Sequence, residues 1–299
     1  MPEYPDITIY QERIMDLIVG QRLNQIRVAN PFLVRTFDPP INAIDDSVLE
    51  RVERLGKRII FGLQGDRFLV LHLMISGRLQ WEAAGKKIPS KRGLAGFDFE
   101  SGTLMLTESS TKKRASLHLV QGRESLVQFE RGGLDVFTAS LEQFCEIMRA
   151  ENHTLKRSLT DPTILDGIGN AYSDEILHRA ELSPILLTAK ISDDELARLY
   201  QAIPQVLLEF TERMRSEVGD GFPKKVTAFR EDMAVHGKYN EPCPVCETKI
   251  QRIKYATNET NYCPTCQTGG KLLADRGLSR LLKKDWPRSM EELETLHSK

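Results

Sequence analysis

The chain has 299 residues, 40% of them hydrophobic, and a net charge of −1. That length is enough for two or three hydrophobic cores, and no apolar run reaches the roughly 18–20 residues of a membrane span. The near-neutral balance argues against nucleic-acid binding on charge alone, while five cysteines and no basic-then-apolar leader fit a cytoplasmic protein, nucleoid-associated if bacterial.

The first predicted element is a helix over residues 6–19, where Ile7, Tyr10, Ile14, Leu17 and Ile18 fall at helical spacing. Short β-like runs follow at 58–63, 68–73, 104–107 and 116–120, separated by Gly, Asp and Lys. Together they predict a β-sandwich or barrel behind one helix, over residues 1–130. Arg131-Gly-Gly133 marks a junction, and residues 140–217 have a helical period. Within them Leu196, Leu199, Ile203, Val206, Leu207 and Phe210 form one stripe, with Pro204 expected to kink or break it. A helical domain is expected over 131–235 and a cysteine-rich ribbon over 236–270. An extension over 271–299 follows, with an amphipathic stretch at 272–282.

The ribbon carries Cys243-x-x-Cys246 and Cys263-x-x-Cys266, separated by 16 residues, Glu247 to Tyr262. Each C-x-x-C closes a tight turn that aims two sulfurs at one ion, and the interval is long enough for a β-hairpin to return the second pair. One structural Zn2+ per chain is expected; a redox pair or coincidence is the alternative. A closed four-thiolate site leaves catalysis to other residues. Cys145 is then expected to be a lone buried thiol.

Charge placement qualifies the net balance. Basic clusters recur at Arg54-Leu-Gly-Lys57-Arg58, Lys112-Lys113-Arg114, Lys156-Arg157, Lys224-Lys225 and Arg252/Lys254, and acidic residues concentrate elsewhere. They form either one segregated basic face or ordinary solvated surface. Asp166-Gly167-Ile168-Gly169-Asn170 lies between two helical segments. A Gly-x-Gly turn ahead of a helix exposes N–H groups that can grip a phosphate, although many plain turns share it. At the other end, Pro2 permits removal of Met1, which leaves a secondary amine titrating near about 8. Such an amine can attack an electrophilic sugar carbon and form an iminium, with Glu3 placed to handle protons.

These motifs occur in one order: Met1-Pro2-Glu3-Tyr4-Pro5-Asp6, Leu55-Gly56-Lys57-Arg58, His72-Leu73-Met74-Ile75-Ser76-Gly77, Gly167-Ile168-Gly169-Asn170 and the paired cysteines. In that order the sequence resembles the formamidopyrimidine-DNA glycosylase and endonuclease VIII family over about residues 1–267, leaving 268–299 outside it. The resemblance implies an α+β fold: an N-terminal helix plus β-sandwich catalytic domain, a helical helix–two-turn–helix DNA-binding domain and a C-terminal zinc ribbon. It implies that Pro2 is a Schiff-base nucleophile, that Glu3 is the proton donor beside it, and that Lys57 assists β-elimination and contacts phosphate. Lys156 and Asn170 match phosphate contacts of the helix–two-turn–helix element.

Several positions depart from the family pattern. Asp6 stands where the family usually has glutamate. Asn258, five residues before Cys263, replaces an arginine that grips the lesion phosphate and serves the second elimination. Ile75 occupies the position of a gap-filling methionine, and the Lys112-Lys113-Arg114 stretch stands where an arginine and a phenylalanine complete the wedge. Residues 219–230 replace the segment that caps oxidised guanine.

The leading reading is a bifunctional DNA glycosylase and abasic-site lyase of base excision repair. Its expected partner is damaged double-stranded DNA, it works as a monomer, and no membrane is involved. A non-catalytic binder of damaged or branched DNA on the same scaffold is the alternative. A zinc-ribbon protein acting on RNA or on another protein is a third reading, supported by the near-neutral charge.

Overall fold

The computed structural model describes residues 1–256, 258–274 and 287–297. The chain divides into two compact units, Met1–Arg131 with Leu208–Thr227, and Gly132–Leu207 with Ala228–Lys299. This division cuts across the four sequence segments, because residues 208–227 count with the first unit.

The first unit opens with helix α1 (Tyr4–Ile18), which starts two residues earlier than its apolar spacing indicated. Pro5 in the first turn and a reciprocal capping box between Glu3 and Asp6 account for the early start. Eight antiparallel strands follow: β1 (Arg22–Val28), β2 (Ser47–Leu55), β3 (Arg58–Leu63), β4 (Arg67–His72), β5 (Gly77–Glu82), β6 (Gly93–Phe99), β7 (Thr103–Glu108) and β8 (Ser116–Gln121). They are ordered β5-β7-β6-β1-β2-β3-β4-β8.

Between β1 and β2 the ladder shrinks to the pairs Arg22↔Val48 and Leu23↔Ser47. The sheet therefore folds there into two four-stranded halves. Their inner faces share one core with Ile7, Tyr10 and Ile14 of α1, and Phe61 of β3 stacks on Phe97 of β6 across it with ring centroids 6.0 Å apart. This is the expected sandwich. β3 is apolar on both faces for a reason: Ile59, Phe61 and Leu63 enter that core. Ile60 instead joins Phe68, Val70, Val120, Leu126 and Phe129 in a second cluster, beneath the 3-10 turn Arg123–Phe129.

The second unit holds α2 (Leu141–Ala150), α3 (Leu155–Thr160) and α4 (Asn170–Arg179). Ser140 caps α2 in a box with Gln143, and the Thr154 hydroxyl caps α3. Helix α5 (Asp193–Val218) contributes residues to both units and runs through Pro204 without the break that was one of the two expected outcomes, a kink being the other. The side chains of Leu196, Leu199, Ile203, Val206, Leu207 and Phe210 are all buried along it, and that packing outweighs the lost hydrogen bond. The hairpin of β9 (Gln251–Lys254) and β10 (Glu259–Tyr262), the turn α6 (Pro264–Thr268) and the terminal helix α7 (Met290–His297) complete the unit. The stretch expected at 272–282 lies outside the described residues from 275 onward. Cys145 is half-buried on α2, not buried as expected. Among the described residues no helix is long and apolar enough to cross a membrane.

Candidate active site and metal centre

In the first unit the chain start is the chemically unusual place. Pro2 is buried, Glu3 is 2% exposed and Asp6 is 3% exposed. The Glu3 N–H donates to Asp6 Oδ2 at 2.8 Å, which locks both residues at the helix N-terminus. Asp6 Oδ1 is buried without a hydrogen-bond partner. Burial, reinforced by the Glu3 carboxylate, pushes the Asp6 carboxyl up to about 7, against the pull of that N–H. The Met1 amine, one residue ahead of Pro2, sits below its ordinary value. Burial is the main cause; Arg78 and Lys57 add to it, and Glu3 and Asp6 oppose it.

Pro2, Glu3 and Lys57 are thus brought into one electrostatic neighbourhood. Lys57 is half-buried in the two-residue turn between β2 and β3, where Gly56 supplies φ +60°. The cations Arg58, Lys57 and Arg131 help burial to hold His72 down at about 4. Arg78 braces the neighbouring segments: Nε donates to the Val226 carbonyl at 2.6 Å and Nη1 to the Gly77 carbonyl at 2.7 Å. Arg13 holds the Asp220 and Gly221 carbonyls, and Phe222 packs 5.7 Å from Tyr10. Residues 219–226 are therefore tied to their own unit.

Ile75 lies 56% exposed in the turn between β4 and β5. Lys113 is half-buried in the β7–β8 loop, its ammonium on the Glu108 carbonyl, while Lys112 and Arg114 are exposed.

In the second unit Lys156 and Asn170 meet directly. The Lys156 ammonium donates to the Asn170 carbonyl at 2.6 Å and to Asp174 Oδ1 at 2.5 Å. The Asn170 amide donates to the Glu259 carbonyl at 3.0 Å, beside Asn258. Asn258 is exposed in the turn of the β9–β10 hairpin, where its carbonyl accepts from Tyr255 N–H at 2.9 Å. Arg252 is stacked over Tyr239 and paired with Glu259, so it is not a loose cation near Asn258. Gly167 takes φ +80° and Gly169 is the N-cap of α4, as the Gly-x-Gly turn required.

The four cysteine sulfurs all lie within 4.8 Å of one another. Cys243 and Cys266 are 3.9 Å apart, and Cys246 and Cys263 are 3.4 Å apart. A tetrahedron with Zn–S bonds of about 2.3 Å has edges of about 3.8 Å, so this donor set fits one zinc ion held by Cys243, Cys246, Cys263 and Cys266. His178 Nε2 approaches Cys243 Sγ at 3.3 Å from α4.

Sequence reasoning overlooked Glu108, Arg78, Asp174, Glu175 and His236. Asp174 is fully buried and also meets His236 Nδ1 at 2.7 Å and Asn261 N–H at 3.1 Å through Oδ2. Glu175 accepts the N–H groups of Ala234, Val235 and His236. Two adjacent acids directly ahead of Ile176 and Leu177 on one helix were a usable signal; the partners 60 residues onward were not.

Residues 1–119 match the formamidopyrimidine-DNA glycosylase N-terminal domain, 135–219 its H2TH domain, and 240–269 the zinc finger found in FPG and IleRS. A formamidopyrimidine-DNA glycosylase-like protein of Mycobacterium tuberculosis is 40% identical over 151 residues, 50% of this chain and 94% of that one. The formamidopyrimidine-DNA glycosylase of Exiguobacterium sibiricum is 31% identical over 282 residues, 89% of this chain and 99% of that one. The structure of Lactococcus lactis FPG in complex with FAPY-dG-containing DNA aligns with a TM-score of 0.79 at 25% identity, covering 89% of this chain and 100% of that one. The chain belongs to the formamidopyrimidine-DNA glycosylase family.

Proposed function

We propose that this protein is a DNA repair glycosylase that excises damaged bases from double-stranded DNA and cleaves the resulting abasic site through a Schiff base on Pro2. The observation that carries this reading is the buried chain start, where a depressed amine faces Glu3, Lys57 and Arg78. Loss of Met1 places the Pro2 nitrogen at that buried chain start, next to Glu3. The nitrogen forms its bond to C1′ as the C1′–base bond breaks, the base departing with the proton the amine gives up. Glu3 then protonates O4′ as the C1′–O4′ bond breaks, which opens the sugar and leaves the C1′ iminium. Loss of a C2′ proton from the iminium then expels the 3′ phosphate in β-elimination, with Lys57 assisting.

The segments divide the tasks in this reading: chemistry in 1–130, phosphate contacts in 131–235, and structural zinc with one further phosphate contact in 236–270. Lys156, Asn170 and Asn258 face phosphate, while Ile75 and Lys113 face the gap left by the extruded base. Zinc supplies no chemistry here; it holds the hairpin that carries Asn258. Asparagine offers a neutral amide where a guanidinium would make a charge-assisted contact of about 1.5–3 kcal/mol. The protein is therefore mainly a β-eliminating enzyme, with little δ-product and poor activity on 8-oxoguanine paired with cytosine. It acts as a cytoplasmic monomer.

Borohydride trapping on abasic duplex tests the nucleophile. Wild-type protein should form a covalent adduct, Pro2→Gly should form it more slowly, and a blocked N-terminus should abolish it. An undiminished adduct with the terminus blocked would move the role to a lysine, Lys57 first. Glu3→Gln should impair base excision more than cleavage of a preformed abasic site. Asn258→Arg should raise the δ-product; complete β,δ-elimination by wild type would refute the reading of Asn258. Binding of damaged or branched DNA without any adduct would favour the non-catalytic alternative.

A further inference from the structure

Glu108 ends β7 and is 1% exposed, yet no step above uses it. Its carboxylate gathers two segments far apart in sequence. Oε1 accepts from the Ser76 hydroxyl at 3.2 Å, and Oε2 accepts the N–H groups of Arg114 at 2.9 Å and Ala115 at 3.1 Å. The Lys113 ammonium closes the loop onto the Glu108 carbonyl. The residue opposite Glu108 in the β5–β7 ladder is Gly77, which directly follows Ser76.

The turn it grips is fixed from the other side as well. Met74 takes φ +53°, Gly77 N–H returns to the Leu73 carbonyl at 2.9 Å, and Arg78 Nη1 donates to the Ile75 carbonyl at 3.3 Å. The outcome is one apolar side chain, Ile75, standing out of a braced turn, with Lys112, Lys113 and Arg114 on the adjoining loop.

We infer that Glu108 is a positioning residue that latches the Ile75 turn to the 112–114 loop, so that an apolar wedge and its cations meet duplex DNA as one preset tip. The inference rests on the proposed action on damaged duplexes. A wedge matters where a base stack must be held open, and the exposed cations Lys112 and Arg114, in fixed register with it, meet the flanking phosphates. A single strand has no stack to hold, so the latch should matter to the duplex alone.

The test compares fluorescence-anisotropy binding of the full-length, zinc-loaded protein to a duplex with a tetrahydrofuran abasic-site analogue and to the same modified strand alone. Glu108→Ala leaves two backbone N–H groups without an acceptor and should weaken duplex binding about tenfold, with single-strand binding within about twofold of wild type. Glu108→Gln keeps an oxygen for those N–H groups and should recover most of the loss. Equal loss on both substrates at an unchanged circular dichroism spectrum, or unchanged duplex affinity, overturns the inference. If Glu108→Ala does not fold, Ser76→Ala decides: it severs one arm at a partly exposed hydroxyl and should cost the duplex about twofold to fivefold. No duplex-selective loss in Ser76→Ala then overturns it. A wild-type protein that binds the duplex but forms no borohydride adduct refutes the lyase chemistry alone, and the same variants still decide the latch.

Discussion

Two buried aspartates, one in each unit, meet opposite surroundings. Asp6 is 3% exposed and has one N–H donor, a neighbouring carboxylate and one oxygen with no partner. Asp174 is 0% exposed and has an ammonium, a histidine ring and a backbone N–H shared over both oxygens. Burial with so few donors raises the Asp6 carboxyl towards neutrality, whereas both oxygens of Asp174 have hydrogen-bond partners.

Removing the metal should sharpen that contrast most. Structural zinc contributes on the order of 10–16 kcal/mol in zinc-finger peptides, so a chelator should unfold the β9–β10 hairpin and take Asn261 away from Asp174. Hydrogen exchange should show the hairpin amides losing protection while α1 and β3 keep theirs. Protection retained at 251–262 after zinc is gone would mean that packing alone holds the hairpin.

Asp174→Ala comes next. It takes the counter-charge from the Lys156 ammonium, whose side chain is only 12% exposed and which keeps the neutral Asn170 carbonyl, and should cost about 3–5 kcal/mol in denaturant unfolding. A cost below about 1 kcal/mol would mean that Lys156 turns to water freely, and the contrast with Asp6 would lose its basis.

The smallest effect concerns pH. The folded Asp6 value of about 7 lies above its ordinary 3.8, so between these values the native state keeps a proton that the unfolded chain has released. Its contribution to stability is full below about pH 4 and falls away as pH rises to about 7. His72 works the other way, because its folded value of about 4 lies below 6.5: its contribution is full above about pH 6.5 and is lost as pH falls to about 4. The two oppose each other in the wild-type protein. Asp6→Asn removes the falling part, so unfolding free energy should climb with pH from about 4 to 6.5 more steeply than in wild type. Parallel profiles would mean that Asp6 ionises normally.

The ribbon was legible because its information is local: two C-x-x-C turns and an interval that fits a hairpin. Strands β3, β4, β7 and β8 were legible because they are apolar runs. Strands β1 and β2 were not, since Arg22-Leu-Asn-Gln-Ile-Arg-Val and Ser47-Val-Leu-Glu-Arg-Val-Glu-Arg-Leu mix charge into the pattern, and β6 is interrupted by Gly96. Pro204 misled because propensity is weak beside a fully buried stripe. Pro2, Glu3 and Lys57 were named through plausible chemistry and family resemblance, whereas Asp6 as an orphaned acid could not be. Nothing in a sequence states that one carboxylate oxygen will find no donor. Glu108 was hidden for a related reason, its partners lying 32 residues back and 6 or 7 ahead.

The crowding behind Ile75 bears on how this protein can be redesigned. A Cβ at Gly77 would lie 2.3 Å from the Leu73 carbonyl oxygen, a distance that only backbone displacement could relieve. Residue 77 is thus closed to every side chain, whereas 75, 112 and 114 project into solvent. A combinatorial library meant to retune damage preference can vary those three exposed positions while leaving 73, 77 and 108 untouched. Clones selected from it would then differ in what the tip presents, with its placement held constant.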